Sequence, residues 1–397
     1  MQPSSASNQA VIIAARRTPI VRAHGLFKRI DVCGLLTPLI HQLLADSAMP
    51  ASEIDDVIIG NATASSGNIA RLAALSAGLP ITVPGVTVDR QCGSGLEAII
   101  QACRQVQAGA GDVYLAGGVE SISTAPWRME RPQSADAQPR FFSRARFAPD
   151  SIGDPDMGVA AENVARHCGV TRDRQDALAL QSHQRAVAAQ QQGLFAGELV
   201  AINTSSGVIN TDEGPRASLS KALLARMKPV FDSTGTVTAG NCCQHNDGAA
   251  LVLVVSAKRA QKMGLPVAMK FCDATAAGVD PNLLGLGPVP ATRKLLRRNP
   301  HISLPEIDLI EFNEAFAAQV LGALYSLGIP AEKINREGGA IALGHPYGAS
   351  GAVLVTRLFS QMQRNDSPGQ HGLATLGIGG GLGLSALFEY TSLDIHA

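Results

Sequence analysis

The sequence has few aromatic residues and no excess of charge of either sign. Aromatic side chains make up 4% of the 397 residues, and there is a single tryptophan. Lysine plus arginine and aspartate plus glutamate both number 33, so the positive and negative charges balance. A chain with this balance has no strong field with which to attract nucleic acid or an anionic membrane. We therefore expect neither of them as a partner.

The sequence also lacks metal-binding cysteine spacings, disulfide frameworks and long apolar runs. Its seven cysteines are an odd number without zinc spacing, and Cys242 and Cys243 are adjacent. No apolar run approaches the roughly 20 residues of a membrane-spanning helix. Residues 1–9 are polar and do not resemble a signal peptide. We expect reduced thiols, a cytoplasmic location, no metal and no permanently bound cofactor.

Glycine and apolar residues are what the chain has in quantity. There are 40 glycines, 46% of the residues are hydrophobic and 17% are charged. This composition is typical of a well-buried globular protein and excludes general disorder. The length indicates two or three domains.

The order of predicted elements indicates an α/β fold. Residues 10–117 alternate as β-α-β-α-β-α-β, which predicts a mostly parallel sheet with helices on both faces. Residues 125–156 show no regular pattern, and residues 160–192 predict two helices separated at Gly169, the second with Thr171 as N-cap. A glycine-bearing segment then leads into a predicted helix and strand within residues 238–256.

The chain contains an internal duplication. The same spacing separates Glu53-Ile-Asp from Glu306-Ile-Asp and Cys92 from His345. Cys92 and His345 are each followed by a glycine-containing turn and a predicted helix. Two similar α/β halves packed together explain such a repeat. If a pseudo-twofold axis relates the halves, the Cys92 and His345 turns can face each other across it.

The repeat and the irregular stretch between its copies define the expected domains. Residues 1–120 form the N-terminal half, which is completed by about residues 238–264. Residues 121–237 form an inserted loop domain. Residues 265–397 form the C-terminal half.

Cys92 is the candidate nucleophile. It lies between a predicted strand over residues 83–89 and a helix from Ser94, and Gly93 and Gly95 are predicted to permit a positive φ and close backbone approach. The N–H groups and partial charge of a helix N-terminus lower the pKa of a nearby thiol. The alternative is a buried structural cysteine. The polar, glycine-flanked turn favours the nucleophile.

Three longer motifs carry a family resemblance. They are Asp-Arg-Gln-Cys-Gly-Ser-Gly over residues 89–95, Glu-Phe-Asn-Glu-Ala-Phe-Ala over 311–317 and Gly-Gly-Ala-Ile-Ala-Leu-Gly-His-Pro-Tyr-Gly-Ala-Ser-Gly over 338–351. With residues 239–250, they resemble the thiolase family over essentially the whole chain. The resemblance implies a five-layered α/β/α/β/α fold made of two duplicated halves, with an inserted loop domain that covers coenzyme A.

The resemblance also implies an activity. Thiolases convert a 3-ketoacyl-CoA and CoA into two shortened acyl-CoAs, or run the Claisen condensation in reverse. On this chain Cys92 would be the nucleophile and His345 its base. One oxyanion hole would use His345 with a water held by Asn313, and a second the N–H groups of Cys92 and Gly379. CoA would be a substrate, and the protein a homodimer or homotetramer.

Simpler interpretations exist for several of these residues. Asn313 could cap the following helix, and His345 could satisfy local backbone. Glu314 is interpreted as an orienting group. The resemblance further implies CoA or acyl contacts from Arg216, Met157, Asp156, Cys243, Phe316 and Leu284.

The chain departs from the family at Gly377. Thiolases carry a second cysteine there, which moves a proton on the α-carbon of the acyl group, and glycine cannot do so. One hypothesis is that Cys243, which replaces a usual serine, supplies the missing thiol; the simpler view, which we favour, is a packing change. Asp156 replaces a usual histidine and would bring a carboxylate to the CoA channel.

Three functions therefore compete. The first is a thiolase-type acyltransferase that works through an acyl-Cys92 intermediate. The second is a homologue without Claisen chemistry, limited to acyl transfer or thioester hydrolysis. The third is a non-catalytic acyl-CoA-binding subunit. The joint presence of Cys92, His345 and Asn313 argues against the third.

Overall fold

The computed structural model describes residues 8–63, 66–132, 134–142 and 144–393. The strands are β1 Ala10–Arg17, β2 Val21–Arg22, β3 Asp56–Gly60, β4 Gly85–Val88, β5 Val113–Glu120, β6 Arg128–Glu130, β7 Arg140–Phe142, β8 Ile202–Thr204, β9 Gly207–Ile209, β10 Asn246–Ser256, β11 Val267–Gly278, β12 Leu309–Phe312, β13 His371–Ile378 and β14 Leu382–Ser392. The helices are α1 Val32–Ser47, α2 Ile69–Ser76, α3 Ser94–Ala108, α4 Met157–Cys168, α5 Arg172–Gln191, α6 Lys221–Ala225, α7 Ala257–Lys262, α8 Pro288–Arg298, α9 Ala317–Leu327, α10 Ala340–Leu343 and α11 Tyr347–Asn365. In these ranges no helix is both long enough and apolar enough to cross a bilayer.

The first half contains a mixed sheet in the order β1-β10-β5-β3-β4. Strand β3 is parallel to β4 and β5, but β10 is antiparallel to both β1 and β5. The strands of residues 10–117, namely β1, β3, β4 and β5, all run in one direction, as predicted, and β10 from beyond the insertion runs against them. Helical crossovers keep β3, β4 and β5 parallel, whereas β10 returns from the insertion and runs against both neighbours.

The second half repeats this arrangement. Its strands follow the order β11-β14-β13-β12, with β13 parallel to β12 and antiparallel to β14. Strands β11, β14, β13 and β12 thus correspond to β1, β10, β5 and β3. The two halves meet where Val11 pairs with Lys270 and Ile12 with Met269. The predicted duplication is confirmed.

Helices cover the strands of both halves on their outer faces, and two helices lie between the halves. Helices α3 and α11 pack on each other and on strands of both halves, and together form the central layer. Helices α1 and α2 cover the outer face of the first sheet, and α8 and α9 that of the second. The predicted five-layered α/β/α/β/α fold is confirmed.

Strand β10 overturns one expectation. Residues 246–256 form a single strand in which every residue is buried, so the helix predicted there does not exist. The strand lies in the middle of the sheet with helices on both faces, which explains its continuous apolar run. A short apolar run of this kind does not distinguish a buried strand from a buried helix.

The chain between β5 and β10 forms the insertion. The two helices predicted there exist as α4 and α5, and the Thr171 side chain caps α5 by accepting a hydrogen bond from Arg174 N at 3.4 Å. The stretch predicted to be irregular contains the β6–β7 hairpin. Strands of three residues carry too little periodicity to be recognised in sequence.

A buried group of charges attaches the insertion to the core. The Arg17 guanidinium at the end of β1 binds Glu198 Oε1 at 2.7 Å and both Asp212 oxygens at 2.7 and 2.9 Å. Arg357 on α11 binds the other oxygen of Glu198. The Phe195 ring lies under both guanidinium groups. Each buried charge is therefore paired, as its burial requires.

The first turns of α3 and α11 are in direct contact through their backbones. A Cβ added to Gly95 would lie 2.6 Å from the carbonyl oxygen of Gly348, and one added to Gly348 would lie 2.7 Å from Asn61 Cα. Glycine is needed at both positions because no side chain fits. The two equivalent turns of the duplicated halves thus face each other, as the repeat predicted.

We expect Gly95→Ala to destabilise the protein by about 1–3 kcal/mol, since the new methyl group must push two helices apart. Thermal unfolding followed by circular dichroism measures the loss. Gly197→Ala is the matched control, because nothing lies within 4 Å of a Cβ at that position. Equal midpoints for the two variants would contradict the close contact.

Candidate active site

Cys92 lies in a tight turn between β4 and α3. The positive φ of this turn belongs to Gln91, at 48°, whereas Gly93 has a φ of −84° and Gly95 lies inside the helix. The predicted positive φ at the glycines was therefore wrong. They supply space instead, because a Cβ on Gly93 would lie 2.5 Å from the Ile378 side chain. A non-glycine residue in this conformation stores strain beside the candidate nucleophile.

Burial dominates the electrostatics of the Cys92 thiol. It raises the pKa of Cys92 to about 11, and the carboxylates of Glu120 and Asp89 add to the increase. The backbone N–H groups of Gly379 and Cys92 donate to the sulfur and oppose it. The expectation of a lowered pKa was wrong for the ligand-free protein, because desolvation outweighs the helix N-terminus. The resting group is a neutral thiol.

His345 occupies the equivalent turn before α11 and is 2% exposed. Its Nδ1 lies 2.5 Å from Ser350 Oγ and 3.5 Å from Asn313 Nδ2. Burial, with a smaller contribution from the charge of His245, lowers the pKa of His345 to about 3. The imidazole is therefore neutral at ordinary pH and has a free electron pair with which to accept a proton.

The loop over residues 313–316 lies beside this histidine. Helix α9 begins at Ala317 with Phe316 in the N-cap position, so Asn313 does not cap it. The Glu314 carboxylate accepts hydrogen bonds from Ser182 Oγ at 2.6 Å and Asn335 Nδ2 at 2.7 Å. Glu314 thus holds the loop through these hydrogen bonds.

Glu120 is a residue of the site that the sequence analysis missed. Its buried carboxylate accepts hydrogen bonds from the backbone N–H groups of Gly348 and Ala62, at 2.9 and 3.0 Å, and from Asn61 Nδ2 at 2.9 Å. It therefore ties the start of α11 to the loop after β3. A glutamate at the end of the fully buried strand β5 was the available signal.

A cavity of about 700 Å³ opens over Cys92. Gly379, Met157, Tyr347 and His245 are among its lining residues. The Tyr347 ring packs edge-on against the imidazoles of His345 and His245, with centroids 5.3 and 5.8 Å apart. Tyr347 and His245 were also missed, although both lie inside the motifs that carry the resemblance.

A second cavity, of about 500 Å³, is basic. Arg216, Arg22 and His24 line it, and His245 lines both this cavity and the one over Cys92. Arginine forks bind phosphate oxygens well, so this cavity suits an anionic ligand. Among the described residues no cluster of histidine, cysteine or carboxylate side chains is arranged to hold a metal ion.

Four residues expected to contact CoA or the acyl group line neither cavity. Asp156 is exposed and lines neither cavity, and its carboxylate pairs with Arg144 at 3.2 Å. The Asp156 charge is therefore balanced by an arginine. Phe316 packs edge-on against Phe231, with centroids 6.1 Å apart. Leu284 is buried in a short 3-10 helix.

Cys243 is the fourth of these residues. Its backbone N–H donates to the carbonyl oxygen of Ala315 at 2.9 Å. Burial raises the pKa of the Cys243 thiol well above its usual value, and the charges of Cys242 and Cys92 raise it further. Cys243 is not among the residues that line the cavity over Cys92.

Gly377 lies in buried strand β13, next to the Gln319 side chain. A Cβ on Gly377 would lie 2.3 Å from Gln319 Nε2. That amide is 2% exposed, and its nitrogen has no hydrogen-bond partner among the described residues. The Gln319 amide thus fills the space that a side chain at position 377 would take.

Comparison with known proteins agrees with this geometry. Residues 10–258 match the family model described as "Thiolase, N-terminal domain", and residues 265–390 match "Thiolase, C-terminal domain". The chain belongs to the thiolase family.

Relatives of this thiolase include a Staphylococcus aureus protein named "Putative acetyl-CoA C-acetyltransferase VraB". It is 47% identical over 383 residues, which cover 96% of this chain and 99% of the relative. A Staphylococcus epidermidis protein of the same name is 46% identical, with coverage of 96% and 98%. The crystal structure of the Bacillus anthracis acetyl-CoA acetyltransferase matches with a TM-score of 0.88, 36% identity and coverage of 96% and 98%.

We expect alkylation of Cys92 by iodoacetamide to accelerate about tenfold per pH unit between pH 7.5 and 9.5, since only the thiolate reacts and the pKa of the thiol is about 11. Mass spectrometry of the Cys92 peptide gives the rate, and Cys92→Ser identifies labelling elsewhere. Glu120→Gln removes a charge that raises this pKa, so the profile should move to lower pH. A wild-type rate that levels off near pH 7 would contradict the raised pKa.

Proposed function

We propose that this thiolase is an acyltransferase that accepts an acyl group from acyl-CoA on the Cys92 sulfur. The observation that carries the proposal is the place of Cys92 and Gly379 together in the wall of one cavity, where their backbone N–H groups lower the pKa of the Cys92 thiol. Such a pair is suited to hold the oxyanion of a thioester under attack. The names of the relatives, acetyl-CoA acetyltransferases, support the same reaction class.

The proposed first half-reaction begins with a neutral pair. His345 accepts the thiol proton as the Cys92 sulfur attacks the thioester carbonyl. The oxyanion is held by the N–H groups of Cys92 and Gly379. When the intermediate collapses, the CoA sulfur leaves and takes the proton back from His345. Asn313 and Ser350 hold the imidazole through Nδ1.

Acyl-CoA is the proposed acyl donor, and the basic cavity is the proposed site for the phosphates of its CoA part. Arg216 and Arg22 would bind phosphate oxygens there. Because His245 lines both cavities, it marks the passage through which the pantetheine arm would reach Cys92. Asp156, Phe316 and Leu284 are assigned no contact.

The second half-reaction has two candidates. Carbon–carbon bond chemistry needs a group that moves the α-carbon proton, and Gly377 does not provide one. Cys243 is an inferior substitute because it lies outside the cavity and its pKa is raised. The first candidate is therefore carbon–carbon bond cleavage or formation, which lacks a clear proton carrier. The second candidate, which these observations favour, is acyl transfer to a heteroatom nucleophile such as a thiol or water. A purely binding subunit would not need the Cys92–His345 arrangement.

Acetyl-CoA should add the mass of one acetyl group to the Cys92 peptide of the wild-type protein. Intact-protein and peptide mass spectrometry measure it after a brief incubation. Cys92→Ser should gain no acetyl group at this peptide, and His345→Gln should acylate at least about a hundredfold more slowly, since general-base help is lost. Absence of acyl-Cys92 with acetyl-CoA and with longer acyl-CoAs, both uncharged and carboxylate-ended, would overturn the proposed function.

CoA-dependent cleavage of acetoacetyl-CoA tests the carbon–carbon step. We expect the wild-type rate to be about 10²–10⁴-fold below that of Gly377→Cys/Gln319→Ala, which adds a proton carrier and clears its space. Gly377→Ser/Gln319→Ala is the matched control, with the same volume but no thiol. A wild-type rate equal to that of the cysteine variant would show that another group moves the proton, with Cys243 tested next.

We further propose that the protein is a homo-oligomer. Trp127 is 88% exposed and Phe141 is 62% exposed, and both lie on or beside the β6–β7 hairpin. Large apolar side chains clustered on a surface are typical of protein contacts.

A further inference from the structure

The cavity over Cys92 is unusually aromatic for this chain. The protein has one tryptophan, four tyrosines and eleven phenylalanines in all. Five of these line the cavity: Trp127, Phe141, Phe142, Phe147 and Tyr347. A water molecule takes roughly 30 Å³, so about 700 Å³ is far more than an acetyl group fills. Even with a pantetheine arm inside, room remains for a longer acyl chain.

Two arginines also line this cavity, and only one of them is neutralised. Arg144 binds Asp154 at 2.9 Å and Asp156 at 3.2 Å. Arg128 is half-buried, and among the described residues its side chain makes one hydrogen bond, from Nη2 to the carbonyl oxygen of Ala62 at 3.3 Å. A carbonyl oxygen does not balance its charge.

The carboxylates around Arg128 are already engaged. Glu130, on the same strand, pairs with Arg140. Glu120 is saturated by N–H and hydroxyl donors from Gly348, Asn61 and residues 62–63. The internal residues outside the described ranges, at positions 64, 65, 133 and 143, are alanine, serine, glutamine and serine. Within the described ranges, the Arg128 guanidinium thus lies at the wall of the cavity over Cys92 without a paired carboxylate.

From this juxtaposition we infer that the acyl group carried to Cys92 ends in a carboxylate, which Arg128 binds. The substrate class is then the CoA monothioester of a dicarboxylic acid, with a chain of several methylene groups along the aromatic wall. The inference rests on the proposed function and specifies its substrate. The covalent step is unchanged: the Cys92 sulfur replaces the CoA sulfur on the thioester carbon, and CoA leaves as the thiol.

Physical chemistry favours this pairing over an uncharged chain. A planar guanidinium presents two parallel N–H groups that match a carboxylate. A bound acyl chain lying along the aromatic wall would displace water from this arginine, so the attraction would be screened less than at an open surface. An uncharged acyl chain would instead cover the guanidinium and leave it without a counter-charge, which costs free energy.

The test compares acylation of Cys92 by glutaryl-CoA, adipyl-CoA and hexanoyl-CoA, followed by mass spectrometry of the Cys92 peptide. We expect the wild-type protein to prefer the two carboxylated thioesters by about tenfold or more, the size of a hydrogen bond to a charged group. Arg128→Gln should bring this ratio toward one, and Arg128→Lys should retain part of it. Arg131→Gln, an exposed arginine outside the cavity lining, is the matched control and should keep the wild-type ratio.

The outcomes separate the inference from the proposed function. A wild-type protein that acylates equally fast or faster from hexanoyl-CoA would overturn the carboxylate inference and leave acyl transfer intact. The carboxylate inference would also be overturned if Arg128→Gln kept the wild-type preference, because another group would then bind the carboxylate. Acylation from none of the three, nor from acetyl-CoA, would overturn the proposed function itself. Circular dichroism of each variant confirms that it is folded.

Discussion

The backbone contact between the starts of α3 and α11 is the constraint on which the rest of the site depends. Gly95 and Gly348 bring two helices from different halves together without side chains between them. Each helix begins directly after one member of the candidate catalytic pair, Cys92 or His345. The five-layered fold therefore holds the two equivalent turns in contact with each other. Glu120 secures the arrangement through the N–H of Gly348.

Much of this frame could be predicted from sequence because the information is local or repeated. The internal duplication predicted the two halves and their facing turns, and the three long motifs indicated the family. The direction of β10 could not be predicted, because it depends on where the chain re-enters the sheet after a long insertion. Its eleven buried residues carry no alternation that would reveal a strand.

The pKa values of the site residues were less predictable from sequence than the identity of those residues. The position of Cys92 before a helix argued for a lowered pKa, yet the structure raises it, because residues distant in sequence remove water from the sulfur and Glu120 adds a negative charge. The same burial keeps His345 neutral. Burial is a property of the assembled fold, so no local pattern contains it. Arg128 was missed for the same reason, since only the fold shows which arginines of the insertion have partners.

A neutral thiol and a neutral imidazole behave differently from a thiolate–imidazolium pair. Because a thiol reacts far more slowly than a thiolate, the raised pKa of Cys92 slows oxidation and alkylation of its sulfur. Under the proposed mechanism, the proton would pass to His345 only as the sulfur attacks a bound acyl-CoA, so the reactivity of Cys92 would depend on the presence of that substrate.

The Gln319 amide beside Gly377 bears on how this chain can change over generations. A single codon change to cysteine at position 377 would place a new side chain against Gln319 Nε2, which already lacks a partner. Because Nε2 is the far end of a flexible side chain, a cysteine at position 377 would require the Gln319 amide to move. The effects of substitutions at positions 377 and 319 are therefore expected to be non-additive, since the two side chains compete for one space.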